Sequence, residues 1–162
     1  MGFMDLILHI QRILKELIKY KLQLTNTMMK KIYVSGNGNL SWENFHQFYI
    51  EPLKKLNLSE CEFIIGDFSG TDTLMMEFLK DKSEKVTILH VGKRPRYFAN
   101  SFKTKTEKWK IIGGFTSDSE RDDYAIFNCS HFLAIDFNSD EKRKSGTLKN
   151  IEKCLSLNKI RI

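Results

Sequence analysis

The spacing of apolar residues divides the chain at about residue 28. Residues 3–24 carry apolar side chains at i, i+3, i+4 and i+7 steps with charged residues between them, and this spacing predicts an amphipathic helix. The stripe consists of Phe3, Leu6, Ile7, Ile10, Ile13, Leu14, Leu17 and Ile18. Its recurrent charges exclude a transmembrane span, and we expect it to pack on the rest of the chain or on a second copy rather than on a membrane. A helical extension over 1–28 is therefore predicted to precede one domain over 29–162.

The domain is predicted from an alternation of two patterns. β-branched and aromatic runs predict strands at 31–36, 62–67, 85–92, 131–137 and 159–162. Helical spacing occurs between them at 41–56, 69–82, 117–130 and 145–157. Residues 93–116 have no clear period and are predicted to be irregular. This order predicts βαβ units, and hence an α/β, Rossmann-like fold of three αβα layers with a mostly parallel sheet of about five strands.

Composition narrows the class of protein. The length of 162 residues and the 41% hydrophobic content suffice for one core, and the formal net charge of +6 favours anionic partners. The three cysteines are far apart, and no histidine or cysteine set has the spacing of a metal site. We therefore expect reduced thiols, a cytoplasmic location, no metal and no cofactor. The Walker P-loop pattern is absent, and Ser41 replaces the third glycine of a dinucleotide fingerprint in GNGNLS.

Small and polar residues follow several predicted strands. Because the carboxyl ends of parallel strands meet at one edge of a sheet, we expect these turns to form a common site. The turns at 66–72 and 145–147 each open a helix, whose exposed N–H groups favour an anion such as phosphate. Arg121, near the start of another helix, is expected to meet an anion or an acidic partner, unless it is a surface arginine paired with Asp118 or Asp122. The candidate ligand-binding residues are Gly36, Asn37, Gly66, Asp67, Ser69, Gly70, Thr71, Asp72, Arg121, Ser145, Gly146 and Thr147.

The turn at 66–72 has two interpretations. Ser69 followed by Asp72 fits an acidic variant of the capping box with Ser69 as the N-cap, and such a cap needs no ligand. Gly66 lets the chain turn off the strand, however, and Gly70 leaves the first helical turn bare, so that a phosphate or a ribose can approach its N–H groups. We favour binding over capping alone.

Residues 93–110 mix basic and aromatic side chains. Such a mixture can hold a nucleic-acid backbone and stack on its bases, which makes single-stranded nucleic acid a possible partner. The favoured alternative is a solvated basic loop whose aromatic side chains pack inward.

Several motifs, taken in order, resemble the SLOG superfamily. The turn IIGDFSGTD is similar to the GGxxGAD-type turn of this Rossmann-like group, which contains DNA processing protein A, the LOG phosphoribohydrolases and small YspA-like proteins. Arg121-Asp122, the strand HFLAIDF and Ser145-Gly146-Thr147 follow in the order found in the small members, so that the resemblance covers about 31–158.

The resemblance implies a nucleotide or nucleotide-derived phosphoribosyl ligand at the carboxyl edge of the sheet, and a homo-oligomer such as a dimer. The LOG enzymes carry PGGxGTxxE for cleavage of the N-glycosidic bond, whereas here Asn150 stands where the glutamate falls and Glu152 is displaced by two residues. An N-glycosidic hydrolase or transferase acting on nucleosides or nucleotides is therefore an alternative, with Asp72 and Glu152 as candidate catalytic carboxylates. A single-stranded nucleic-acid-binding module is the other alternative.

Overall fold

A single parallel sheet organises the protein. The computed structural model describes residues 2–162, with the backbone alone described at residues 3 and 22–27. The strand order is β4-β3-β2-β1-β5-β6, with β1 (Lys30–Ser35), β2 (Cys61–Ile65), β3 (Val86–Val91), β4 (Lys110–Phe115), β5 (His131–Ala134) and β6 (Ile160–Arg161). The helices are α1 (Phe3–Thr27), α2 (Trp42–Phe45), α3 (Glu51–Leu53), α4 (Thr71–Leu79), α5 (Asp118–Asn128) and α6 (Gly146–Ser156). The predicted α/β, Rossmann-like fold is confirmed.

The two faces of the sheet each support a hydrophobic core. On one face, side chains of α2, α3 and α4 such as Phe45, Leu53 and Met75 pack on strand residues including Ile32. On the other face, α5 and α6 pack on the alternate residues of the same strands, such as Tyr33. Because both faces are covered, the central strands read as nearly continuous apolar runs, which is why the sequence predicted them.

Strand β4 corrects the prediction that 93–116 is irregular. This strand is the sheet edge beyond β3, most of its residues are exposed, and it contains Gly113-Gly114. A solvent-facing edge strand has neither an apolar run nor a strict alternation, so its sequence carries little strand signal. The sheet therefore has six strands, where about five were predicted.

Tyr49 bridges the two central strands near their carboxyl ends. A π-helical stretch (His46–Ile50) joins α2 to α3 and places the Tyr49 ring in the core. The Tyr49 hydroxyl donates to the Ser35 carbonyl at 2.9 Å and accepts from the Ile135 amide at 3.1 Å. Its burial raises the pKa of Tyr49 to about 12, so the phenol stays protonated and donates this bond.

Helix α1 forms as predicted, but in the single chain its apolar face stays open. From Leu6 to Tyr20 the apolar side chains other than the half-buried Ile7 are 43–62% exposed, and none of them belongs to either core. Met1 of the predicted extension and the side chain of Phe3 lie outside the described part. No helix among residues 2–162 has the length and apolar content needed to cross a bilayer.

Candidate functional site

A cleft of about 240 Å³ opens at the carboxyl edge of the sheet. It lies where β1 has β2 on one side and β5 on the other, which is the switch point at which open α/β sheets bind ligands. The chain from β1 to α2 forms one wall, and the starts of α4, α5 and α6 contribute the rest. Its lining residues are Tyr33, Ser35, Gly36, Asn37, Gly38, Phe68, Asp72, Asp118, Arg121, Asp122, Asn138, Arg143, Ser145, Gly146, Thr147 and Asn150.

One end of the cleft is formed by the N-terminus of α6. Ser145 caps this helix, since its Oγ accepts from the Leu148 amide at 3.0 Å and donates to Asp136 at 2.6 Å. The amides of Gly146 and Thr147 have no acceptor among the described residues, and a Cβ added at Gly146 would meet nothing within 4 Å. These two amides are therefore left without an acceptor among the described residues at the positive end of a helix dipole.

The basic side chain of this end comes from Arg143. It lies in the loop before α6 and lines the cleft, and its guanidinium forms no ion pair with any described residue. This end of the cleft consequently attracts an anion.

The wall formed by the starts of α4 and α5 presents hydrogen-bond acceptors. Asp72 is 6% exposed; its Oδ2 accepts from the Phe68 amide at 3.0 Å, and its Oδ1 has no partner among the described residues. Asp122 lines the same wall and accepts from Asn150 at 2.8 Å. Asn150 also donates toward the Tyr33 hydroxyl at 3.1 Å. The cleft therefore presents helix-start amides on α6 and carboxyl groups on the wall of α4 and α5.

Burial controls the protonation of Asp72. Desolvation raises its pKa from 3.8 to about 7, although the neighbouring Arg121 and the Phe68 amide both favour the charged form. Near neutral pH this carboxyl can accordingly either donate or accept a hydrogen bond at the cleft wall.

Asp67 organises the arginines beneath the cleft. Its carboxylate accepts from Arg96 at 2.7 and 3.0 Å and from Arg121 at 2.9 Å. Burial by itself raises the pKa of Asp67, but these hydrogen bonds outweigh burial and leave the pKa below its usual value. Arg121 is 5% exposed and also binds Asp118 at 2.7 Å and Asp122 at 2.7 Å. Arg121 thus has acidic partners, and these include Asp118 and Asp122, the partners that the alternative named. The side chain is buried, however, and not at the surface as that alternative had it.

The capping box expected at Ser69 is absent. Gly70 is the N-cap of α4 and provides no side-chain cap, while Ser69 Oγ donates to the Gly38 carbonyl at 3.2 Å. The Thr71 amide donates to the Asn37 carbonyl at 3.2 Å. The turn at 66–72 therefore presents the carboxyl of Asp72 to the cleft, while the amide at the helix start is already bonded within the protein.

At two glycines of this turn, close contacts within the protein leave no room for a side chain. Gly70 has φ of 73°, and a Cβ there would lie 2.3 Å from the Asn37 carbonyl oxygen. A Cβ at Gly66 would lie 2.5 Å from Asp72 Oδ2 and 2.9 Å from Arg121 Cζ. Because Gly70 lacks a Cβ, the neighbouring loop can approach it closely. Because Gly66 lacks a Cβ, there is room for the side chains of the buried ion network.

The structure brings many predicted site residues together at the cleft. Those that line it are Gly36, Asn37, Asp72, Arg121, Ser145, Gly146 and Thr147. Those that do not line it are Gly66, Asp67, Ser69, Gly70, Thr71 and Glu152. Glu152 instead pairs with Lys144 at 2.7 Å, so that only one of the two candidate catalytic carboxylates lies at the cleft. Sequence reasoning missed Arg143 and Tyr33. The position of Arg143 directly before the SGT turn was a usable signal, whereas Tyr33 looked like an ordinary strand residue.

The aromatic side chains of 93–110 mostly pack inward. Trp109 is buried and contacts Phe98 edge-on, and Tyr97 donates to Glu77. Phe102 is 73% exposed, with Lys103 Nζ 5.2 Å from its ring centroid. Of the four aromatic residues, this one alone remains open for stacking on a base.

Comparison with solved structures yields one informative match. The chain is similar to DNA processing protein A from Helicobacter pylori, with a TM-score of 0.58 and 16% sequence identity over 83% of this chain. The two proteins share a fold. The match spans 64% of that protein's chain, and its structure is described as showing a unique single-stranded DNA binding mode.

At this sequence identity, the likeness shows a shared fold alone. No protein-family model matches the sequence, and no curated protein matches it.

Proposed function

We propose that the protein binds a nucleotide or a nucleotide-derived phosphoribosyl compound in the cleft at the carboxyl edge of the sheet. The observation that carries the proposal is the polarity of the cleft. The start of α6 offers amides without acceptors among the described residues and the cation of Arg143, and the wall of α4 and α5 offers carboxyl groups. A phosphorylated sugar has the matching order of groups, with an anion at one end and hydroxyl donors at the other.

The phosphate is assigned to the start of α6. The amides of Gly146 and Thr147 and the guanidinium of Arg143 are the donors that line the cleft there. Charge-assisted hydrogen bonds from backbone amides at a helix N-terminus are a common means of holding phosphate.

The hydroxyl groups are assigned to the wall formed by Asp72 and Asp122. Asp72 keeps one oxygen free of protein partners, and its mixed protonation near neutral pH suits a neutral hydroxyl better than a second anion. Phe68 lies beside this wall, is 45% exposed, and has the Arg96 guanidinium 5.1 Å from its ring centroid. Its ring provides a surface on which a base can stack.

A substitution at Gly146 tests the phosphate assignment without disturbing α6. Proline is favoured at the first position of a helix, and Ser145 already has φ of −68° and ψ of 163°, which suits a residue before proline. Gly146→Pro removes the amide donor, whereas the control Gly146→Ala keeps the amide and adds one carbon. Isothermal titration with AMP, ADP-ribose, NAD and a cyclic dinucleotide identifies the ligand for this comparison.

We expect Gly146→Pro to weaken binding by about 1.5–3 kcal/mol, as for a lost hydrogen bond to a charged group, and Gly146→Ala to change it much less. No heat from any compound with the unsubstituted protein would refute the proposal. Equal losses in both variants would refute the role of the amide.

Single-stranded nucleic acid is the second candidate ligand, and the fold of DNA processing protein A favours it. The residues that support it are the exposed Phe102 and Lys103. Anisotropy of a labelled oligothymidine should fall steeply with added salt, because phosphate contacts release counterions. The double substitution Phe102→Ala/Lys103→Ala should weaken binding, whereas Lys55→Ala outside this segment should not. Salt-independent binding, or none, would remove this candidate.

A further inference from the structure

Helix α1 carries a wide apolar face that the single chain leaves uncovered. The helix has 25 residues, so its length is about 37 Å at 1.5 Å per residue. The exposed apolar residues on this face, with their exposed fractions, are Leu6 (43%), Ile10 (48%), Ile13 (46%), Leu14 (52%), Leu17 (57%), Ile18 (59%) and Tyr20 (62%). A patch of this extent is unusual for a monomer in water.

The spacing along this face is that of a coiled coil. Leu6, Ile10, Ile13, Leu17 and Tyr20 follow one another at alternating steps of four and three. The average step of 3.5 residues keeps a straight seam toward a second helix that has the same repeat. This spacing indicates a partner helix of similar length rather than a globular surface.

Within the described part of the chain, the one helix with this repeat is α1 itself. Helices α5 and α6 have 11 residues each, and their apolar residues, such as Ile126 and Ile151, are already buried against the sheet. A second copy of the chain therefore offers the matching seam.

The charges beside the seam favour a parallel arrangement of two copies. Glu16 and Lys21 are the charged residues at the positions that flank the seam, and they lie five residues apart. In a parallel, in-register pair, this spacing brings Glu16 of each copy beside Lys21 of the other. An antiparallel pair would not form these two symmetric contacts.

The available area is sufficient for association. The apolar side chains of the face are each about half exposed and together offer on the order of several hundred Å² per copy, close to the roughly 800 Å² per partner of a standard interface. We propose that the protein self-associates through α1, which pairs in parallel with α1 of a second copy along the seam from Leu6 to Tyr20. This association is independent of the ligand proposed for the cleft.

Sedimentation equilibrium of the full chain tests the association. The unsubstituted protein should be oligomeric at micromolar concentration, and Ile10→Glu/Leu17→Glu should raise the dissociation constant at least 100-fold. The control Gln11→Glu/Lys15→Gln makes the same change in net charge on the polar face and should leave the mass unchanged. Urea unfolding followed by Trp42 and Trp109 fluorescence checks that the domain of each variant is folded.

The direction of pairing is tested with one cysteine on the seam. In a parallel pair, the cysteine of Leu17→Cys lies beside the same cysteine of the second copy, so mild oxidation should link the two chains. The control Lys15→Cys places its cysteine on the polar face and should not link them. The native cysteines are buried. An oligomer that Leu17→Cys does not cross-link would overturn the parallel arrangement. An unsubstituted protein that is monomeric would overturn the proposal. An unsubstituted protein that pairs only after it has bound vesicles of phosphatidylcholine and phosphatidylglycerol would overturn it as well.

Discussion

The substitution Asp72→Asn should change how the stability of the protein depends on pH. Asp72 is nearly fully buried at the cleft wall, where its Oδ2 accepts from the Phe68 amide. Asparagine has the same shape and keeps an oxygen for that amide, but it cannot ionise. The comparison therefore isolates the cost of placing a carboxylate at this position.

The magnitude follows from the pKa of Asp72. This pKa is about 7 in the folded chain and 3.8 for the ordinary carboxyl, so the folded state binds the additional proton between these values. Stability consequently falls as the pH rises from about 4 to about 7, and it changes no further above that range. A shift of about three units at 1.36 kcal/mol per unit amounts to about 4 kcal/mol.

Urea unfolding at several pH values measures this effect. The stability of Asp72→Asn relative to the unsubstituted protein should rise by about 4 kcal/mol between about pH 4 and about pH 8. Asp81→Asn, which alters an exposed carboxylate, should show no comparable trend. A relative stability of Asp72→Asn that is flat, or that falls as the pH rises, would refute the reasoning, because Arg121 would then hold Asp72 ionised.

Three further predictions concern the turn at 66–72, the buried ion network and the candidate catalytic carboxylates. Gly70→Ala should cost more than about 2 kcal/mol of stability, because its φ is positive and the added Cβ would clash with the Asn37 carbonyl. Gly146→Ala should cost less than about 1 kcal/mol. Thermal unfolding compares the two variants. Asp67→Asn should cost about 1.5–3 kcal/mol near neutral pH, because the charge-assisted hydrogen bonds of Asp67 are lost while both arginines keep Asp118. Because the folded pKa of Asp67 is lowered, this cost should shrink as the pH falls through that pKa, and a cost that persists in acid would contradict the assignment. If long incubation with nucleoside monophosphates releases free base, chromatography should show a slower release with Asp72→Asn and an unchanged one with Glu152→Gln, because Glu152 does not line the cleft.

The parts of the fold that could be predicted from sequence are those whose burial is periodic. The central strands β1, β2 and β3 are covered on both faces, so their apolar runs are long enough to recognise. Strand β4 could not be recognised, because it lies at a sheet edge with exposed side chains and two glycines. The alternation of strands and helices was sufficient to place the cleft at the carboxyl edge.

The interior of the site depends on contacts between distant segments, which local sequence patterns do not reveal. Asp67 binds Arg96, 29 residues away, and Arg121, 54 residues away. These contacts require the chain after β3 to return over the end of β2, and no spacing rule predicts that return. The same limit explains Gly70, whose neighbour in space is the loop after β1 rather than anything near it in sequence.

The Tyr49 hydroxyl connects the core beneath α2 and α3 to the strand ends that border the cleft. The pairing of β1 with β5 ends at Ser35 and Ala134, and just there the phenol adds two bonds between the chain segments, beside the one that Asn37 Oδ1 accepts from the Phe137 amide. The two segments are thus held together in part by a side chain anchored in the core beneath α2 and α3. Tyr49→Phe would leave every lining residue in the chain and yet weaken the connection between the two segments. Substitutions in that core can therefore tune ligand affinity without touching the ligand.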